Sequence, residues 1–213
     1  MEEATRIILI RHGETLWNRD TRIQGHTDIP LSPLGEAQAA RLAAALLDDD
    51  LDAVYASDLS RARQTAQAVA GTRSLPVNLE PGLRERAFGR FEGLSWKEIE
   101  LTYPDEALRW RRREPDFPVG GGESLTVFSA RCVAAVQQIA LRHPGQTVAV
   151  VAHGGVLDCL YRAATGVALD APRSWQLGNA TINRLLASAG RFNLVGWHDD
   201  RHLADLSLDD ASA

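Results

Sequence analysis

Apolar residues in this chain gather into short runs separated by polar turns. Ile7-Ile8-Leu9-Ile10 is an unbroken, mostly β-branched run, the pattern of a strand covered on both faces. Leu51 to Tyr55 and Thr147 to Ala152 repeat it. Thr181 to Ala187 and Phe192 to Trp197 read as two more strands, joined through Ser188-Ala189-Gly190. Between them the spacing becomes helical. Residues 34 to 47 are Ala- and Leu-rich, with Ser32 as a predicted N-cap. Further helices are predicted over 59 to 70, closed by Gly71, over 124 to 142, stopped by Pro144-Gly145, and over 154 to 164.

Strands alternating with helices predict an α/β fold, a three-layer α/β/α sandwich around a mostly parallel central sheet. Residues 88 to 118 break the rhythm with Trp96, Trp110, Pro104, Pro115 and Pro118. They are expected to form a small helical excursion inside a single domain spanning residues 1 to 213. The acidic tail after Leu203 is expected to fray.

Composition narrows the classes. With 213 residues, 45% of them hydrophobic, the chain can bury a core without disulfides or metal. A net charge of −5 argues against nucleic acid or an anionic membrane surface as a partner. Cys132 and Cys159 form no C-x-x-C, which points to a reducing compartment. The run Ile7 to Ile10 is too short for a signal-peptide core, and no stretch reaches the length of a membrane span. The expected location is the cytoplasm.

The first strand runs into Arg11-His12-Gly13, and the strand at 147 to 152 runs into His153-Gly154-Gly155. In open α/β sheets ligands bind beyond the carboxyl ends of strands. Two histidines at one sheet edge are harder to explain as ordinary core residues than either alone. A glycine after each lets the backbone turn and approach a ligand. Gly154 also opens a helix, where an N–H can face an anion. Arg11 offers a planar fork suited to phosphate. Arg61, in the first turn of the helix after the second strand, is placed at the same rim. Together these make a phosphate-sized cationic hole in an acidic protein. The chemistry lacks only a carboxylate, and local composition does not choose among Glu85, Glu14 and Glu92.

Other motifs carry less. There is no G-x-x-x-x-G-K-[ST] and no G-x-S-x-G, so P-loop and serine-hydrolase readings have no support. Gly120-Gly121-Gly122 reads as an ordinary loop before a helix capped near Ser124. His198 and His202, four apart, could bind metal but read as a solvated end. The basic run Arg109 to Arg113 reads as a solvated helix face, or as recognition of an anionic substrate from an excursion that roofs the pocket. Trp17, Ile23, Phe88, Phe91 and Trp110 are candidates for an outer pocket, and equally for core.

Six ordered segments then carry a specific resemblance. LIRHGETLWN at 9 to 18, IQGHTDIPLSPLGEAQA at 23 to 39, YASDLSRARQTA at 55 to 66, LRERAFGRFEGL at 83 to 94, GGGESL at 120 to 125 and VVAHGGVL at 150 to 157 resemble the histidine phosphatase superfamily, in its phosphoglycerate mutase-like branch. The resemblance implies that His12 is the nucleophile and becomes phosphorylated. It implies that Arg11, Arg61 and His153 bind the phosphoryl group, helped by Asn18, Gln24, Gly25 and the Gly154 N–H. It makes Glu85 the acid that protonates the leaving oxygen, and it implies no metal.

The implied activity is hydrolysis of a small phosphate monoester, so the expected partner is a phosphorylated metabolite. Two arginines and a second histidine can neutralise the charge in transit. The alternative within the family is a phosphoglycerate mutase-type isomerase, which would need 2,3-bisphosphoglycerate as cofactor. Glycolytic mutases carry a longer basic insertion after the acid than residues 86 to 121 provide, which favours the phosphatase. A non-catalytic phospho-ligand module would be expected to lack His12 or Glu85, and both are present. A monomer or a homodimer is expected.

Overall fold

The computed structural model describes residues 3 to 206. Residues 207 to 213 of the acidic tail, where fraying is expected, lie outside them. β1 (Thr5–Arg11) is followed by a single turn, α1 (Leu16–Arg19), and by α2 (Pro33–Ala45). Then come β2 (Ala53–Ala56), α3 (Ser60–Gly71) and β3 (Val77–Leu79). The excursion supplies α4 (Trp96–Thr102) and α5 (Pro104–Arg111). The chain closes with α6 (Leu125–Leu141), β4 (Thr147–Ala152), α7 (Gly154–Thr165), β5 (Ile182–Ser188) and β6 (Arg191–Asp199). The sheet order is β3-β2-β4-β1-β5-β6. Its first four strands are parallel, and β5 and β6 are antiparallel additions at one side.

The run Ile7 to Ile10 is apolar throughout because the sheet is covered twice. Ile7 and Leu9 pack with Val148, Val150 and Ala152 against α6 and α7, through Phe128, Val136 and Leu157. Ile8 and Ile10 point the other way, with Ala149 and Val151, onto Leu42 of α2 and Ala62, Ala66 and Val69 of α3. Each fully buried side chain of this size contributes about 1.5–3 kcal/mol. A polar substitution anywhere in Ile7 to Ile10 therefore damages one layer or the other. Small residues on the inner face of α3 let that helix approach the sheet closely, which sets how near its first turn comes to the strand ends.

Differences from the expected elements are local. The second strand begins at Ala53 rather than Leu51, and α2 ends at Ala45. β3, only three residues and largely exposed, has no periodic signature to read. The β5–β6 hairpin turns through Ala189 and Gly190, with φ of 46° and 72°. Two positive φ values suit a two-residue hairpin loop.

The excursion is helical and has its own small core of Phe91, Ile99, Ala107, Phe117 and Val119. A capping box of Ser95 and Glu98 starts α4, and Pro104 opens α5, where its missing N–H costs nothing. Phe91 is fully buried here and stacks on Trp110 at 5.9 Å between ring centroids. It is therefore core, not a pocket wall. Gly120 adopts φ 59°, and a Cβ there would lie 2.2 Å from the Phe88 carbonyl oxygen. The glycine-rich turn is thus a close backbone contact that holds the segment following Glu85.

Candidate active site

β1 and β4 are adjacent, parallel and in register, with Arg11 opposite Ala152. One step further along each strand lie His12 and His153. The His12 N–H continues the ladder to the Ala152 carbonyl at 3.0 Å. The two rings sit 5.1 Å apart, edge to face. The strand pairing thus joins two residues 141 positions apart in a chain of 213 (153 − 12 = 141).

Hydrogen bonds define the state of each ring. His12 Nδ1 lies 2.7 Å from the Gly13 carbonyl oxygen. A carbonyl only accepts, so Nδ1 carries the proton and Nε2 keeps its lone pair. Gly13 is held in turn by its own N–H, which donates to Thr65 Oγ1 at 3.0 Å. His153 has the opposite tautomer. Arg61 Nε donates to its Nδ1 at 3.2 Å, so the proton is on Nε2, which is buried and has no partner. One ring therefore presents an electron pair and the other an N–H.

Burial, with the Arg61 and Arg11 guanidiniums beside it, pushes His12 well below its usual value of 6.5. His153 is lowered likewise, first by burial, then by Arg61, with smaller effects from His12, Arg11 and His26. Both rings are neutral near pH 7. The unfolded chain takes up protons near pH 6.5 that the folded protein refuses, so stability falls as pH drops below that value. The slope is up to about 1.4 kcal/mol per pH unit for each imidazole, until the depressed folded values are reached. His12→Asn and His153→Asn should each lose denaturant resistance less steeply than the parent between about pH 6.5 and 5. Equal slopes would mean that the imidazoles take up protons in the folded protein.

Arg61 is fully buried. Besides holding His153, it donates through Nη1 to the Thr27 carbonyl at 3.0 Å and through Nη2 to the Gly25 carbonyl at 2.8 Å. Desolvation lowers it to about 10, with Glu85, Asp28 and Glu92 opposing, so it remains charged. The first turn of α3 is anchored by Asp28, which accepts from the Ser60 N–H at 2.7 Å and from its hydroxyl at 2.8 Å. Arg11 is also lowered by burial and stays cationic. Its Nη1 bonds the Leu177 carbonyl, and its Nε has no partner. Asn18 spends its Oδ1 as acceptor for Thr15 in a capping box, which leaves its Nδ2 as a donor. Gln24 is buried and its Oε1 is unpaired. Gly25 has φ 55°, and a Cβ there would collide with Glu92 at 2.2 Å. Arg11, His12, Asn18, Gln24, Gly25, Arg61 and Glu85 line one cavity of about 200 Å³.

At the start of α7 the engaged amide is that of Gly155 rather than Gly154. It donates to Glu85 Oε2 at 3.0 Å. The Arg86 N–H donates to Oε1 at 2.9 Å. A Cβ on Gly155 would lie 2.2 Å from Glu85 Oε1, so glycine is what lets this carboxylate reach the helix end. A Cβ on Gly154 would sit 3.4 Å from Arg11 Nε. The other two carboxylates have different partners. Glu14 accepts from the Ser32 hydroxyl at 2.8 Å. Glu92 accepts from the His26 and Thr27 N–H groups, the Thr27 hydroxyl and the Phe88 N–H, which braces the loop before Asp28. Of the three, Glu85 alone lines the cavity that holds His12.

Of the outer-pocket candidates Ile23 and Phe88 line this cavity, and the basic run and the His198–His202 pair do not. Arg109 pairs with Glu114 at 2.6 Å, and Arg111 pairs with Glu100. Arg113 instead turns inward to Asp158 at 2.9 Å. His202 Nε2 bonds the Ala180 carbonyl at 3.0 Å. Among the described residues no group of three or more His, Cys, Asp or Glu side chains is arranged to hold a metal ion. No described helix is long and apolar enough to cross a membrane. Asn179 was not identifiable from the sequence. It donates to the His12 carbonyl at 2.9 Å from the segment before β5, and only a Gly-Asn turn signal marks it. Thr65 carries a fainter trace, one helical turn after Arg61 on the same face.

Known proteins resemble this chain along nearly its whole length. The metal-independent phosphoserine phosphatase of Arabidopsis thaliana is 38% identical over 209 residues, covering 97% of this chain and 86% of that one. Phosphoglycerate mutase-like protein 4 of the same plant is 37% identical, covering 93% and 87%. The crystal structure of a phosphoserine phosphatase from Entamoeba histolytica, in complex with 3-phosphoglyceric acid, superposes with a TM-score of 0.84 at 31% identity, covering 93% of this chain and 99% of that one. The family model of the histidine phosphatase superfamily (branch 1) matches residues 7 to 200, and with two neutral histidines between arginines at the ends of β1 and β4, this chain belongs to that superfamily.

Proposed function

We propose that the protein is a phosphatase that hydrolyses small phosphate monoesters through a phosphohistidine at His12, with no metal ion. One observation carries the reading. A buried, neutral imidazole has its Nδ1–H committed to the Gly13 carbonyl, so its nucleophilic nitrogen is available near neutral pH.

His12 Nε2 attacks phosphorus, a P–N bond forms and the P–O bond to the alcohol breaks. Arg11, Arg61, the Asn18 amide and the His153 Nε2–H neutralise and orient the three non-bridging oxygens. The departing oxygen takes a proton from Glu85, because an alkoxide leaves poorly near neutral pH. Water then attacks phospho-His12 and gives its proton to the Glu85 carboxylate. The P–N bond breaks, and inorganic phosphate leaves. The covalent intermediate divides one difficult displacement into two easier ones.

The test is to incubate the protein with a phosphate monoester, denature it in base and map the phosphate. Acid-labile, base-stable phosphate on His12 is expected, with turnover that persists in EDTA. Chelation that abolishes activity, restored by a divalent ion, would overturn the metal-free reading. Isomerisation of 3-phosphoglycerate that depends on 2,3-bisphosphoglycerate and outpaces phosphate release would replace the phosphatase by a mutase.

A further inference from the structure

The Gly13 carbonyl keeps the proton on His12 Nδ1, so whatever holds that carbonyl governs the ring. Two planar peptide units meet at Gly13, and a plane held at both its N–H and its C=O cannot turn. In the His12–Gly13 unit the N–H donates to Thr65 Oγ1 at 3.0 Å. The His12 carbonyl at its other end accepts from the Asn179 side chain at 2.9 Å and from the Ala180 N–H at 3.3 Å. In the Gly13–Glu14 unit the N–H donates to Gln38 Oε1 at 2.8 Å, and the carbonyl accepts from His12. A backbone N–H only donates, so the Gln38 atom that faces it is the oxygen.

Both side-chain acceptors are themselves fixed. Thr65 is fully buried, and its hydroxyl proton goes to the Arg61 carbonyl at 2.8 Å, which turns a lone pair toward Gly13. Gln38 stands on the second turn of α2, and the start of that helix is docked on the Gly13–Glu14 backbone. The Ser32 N–H donates to the Glu14 carbonyl at 2.9 Å. A Cβ on Gly35 would lie 2.0 Å from the Glu14 carbonyl oxygen, and one on Gly13 would lie 2.5 Å from that of Gly35. Glycine at both positions is therefore what brings α2 close enough for Gln38 to reach the peptide. The bonds also act in series. Gln38 polarises the Gly13–Glu14 peptide, which strengthens its carbonyl as an acceptor for His12. Burial, Arg61 and Arg11 all make His12 less basic, and the Gly13 bond opposes them, so weakening that bond weakens the nucleophile.

We propose, building on His12 as the nucleophile of the phosphatase reading, that Gln38 and Thr65 are positioning residues: acceptors carried by α2 and α3, they clamp the two peptides that meet at Gly13, aim its carbonyl at His12 Nδ1 and so keep the attacking lone pair on Nε2. Neither side chain lines the cavity that holds His12, so both act through the backbone and not on the substrate. The two helices that cover one face of the sheet thereby set the proton of a ring at the end of β1.

The test reads the tautomer and the chemistry separately. Nitrogen NMR shifts of the His12 ring, assigned by their loss in His12→Ala, report without substrate which nitrogen carries the proton. The parent should show a protonated Nδ1 and a bare Nε2. Gln38→Met and Thr65→Val keep the size of the side chain and remove the acceptor, and each should move the Nε2 signal toward its protonated value. The net worth of one hydrogen bond corresponds to roughly 2–10-fold, so each variant should slow single-turnover phosphorylation of His12 by about that factor. The loss should fall on kcat rather than KM, and thermal stabilisation by inorganic phosphate should persist, because the arginines are untouched. Thr65→Ser and Gln38→Glu restore an acceptor and should recover the parent tautomer and most of the rate. Folded Gln38→Met and Thr65→Val proteins with the parent tautomer overturn the clamp, whatever their rate, since a loss without a change of tautomer is general loosening. If Thr65→Val does not fold, Gln38→Met, at a half-buried position, decides alone. Absence of phospho-His12 in the parent with every ester would instead overturn the phosphatase reading, and the ring shifts would still test the clamp.

Discussion

His12→Ala is expected to lower turnover by roughly 10⁴–10⁶-fold, the scale on which removal of a catalytic nucleophile acts. Covalent phosphate should vanish with it. The side chain is buried, but it forms one hydrogen bond to its own neighbour, Gly13, rather than bracing distant elements. The variant should therefore fold. Two measurements separate loss of chemistry from loss of fold: the thermal transition of the variant, and its protection by inorganic phosphate, since Arg11, Arg61 and the His153 Nε2–H all remain. Phosphate labelling that persists in a folded His12→Ala protein would place the nucleophile elsewhere.

Glu85→Gln is expected to act according to the leaving group. An alkyl phosphate departs as a strongly basic alkoxide and needs a proton in the transition state, and general acid catalysis of this kind is worth about 10²–10⁴-fold. Nitrophenolate is a stable anion and needs little help, so p-nitrophenyl phosphate should lose clearly less. Glutamine keeps only one acceptor oxygen, whereas the carboxylate takes the Gly155 N–H on Oε2 and the Arg86 N–H on Oε1, so one of these bonds is lost and the dependence on leaving group, rather than the size of the loss, identifies the acid. With the activated substrate phospho-His12 should accumulate, since the same residue assists the attacking water. Glu14→Gln and Glu92→Gln should show no such selectivity. Glu92 braces the loop that Arg61 grips, so its loss should slow both substrates evenly. Equal losses from Glu85→Gln on both substrates would mean that Glu85 positions the site and that the proton comes from another group.

The two predictions differ in how far the sequence supports them. His12 and His153 stand out because each ends a strongly apolar run and precedes glycine, and such runs report burial directly. The same logic reads β1, β4 and the long helices correctly. It fails at β3, where three residues, two of them exposed, leave no pattern. It leaves Phe91 open between pocket and core, because an aromatic side chain has the same composition whether it lines a pocket or fills the core of a small helical cluster, and the structure puts it in the core. It reads the Arg109 to Arg113 run as a solvated face or as an anion-recognising roof and treats the run as a unit, whereas ion pairs with Glu114 and Glu100 hold two of these arginines outside and Asp158 draws Arg113 in.

What the sequence determined by itself was the repeated strand–histidine–glycine construction, the helices whose small faces pack on the sheet, and the six ordered segments of the family. Local burial and turn chemistry leave their mark within a few neighbouring residues, so a linear reading can recover them. The tertiary structure alone decided which histidine nitrogen is free and that Arg61 shares its guanidinium between His153 and the Gly25–Thr27 loop, and it put Glu85, which the family segments singled out and local composition did not, on the cavity that holds His12. Those outcomes depend on the parallel register that sets Arg11 beside Ala152 and on glycine at 155, which lets a carboxylate from a distant loop touch the start of α7. Contacts of that range are set by how layers close on one another, and no property of the residues nearby in the chain encodes them.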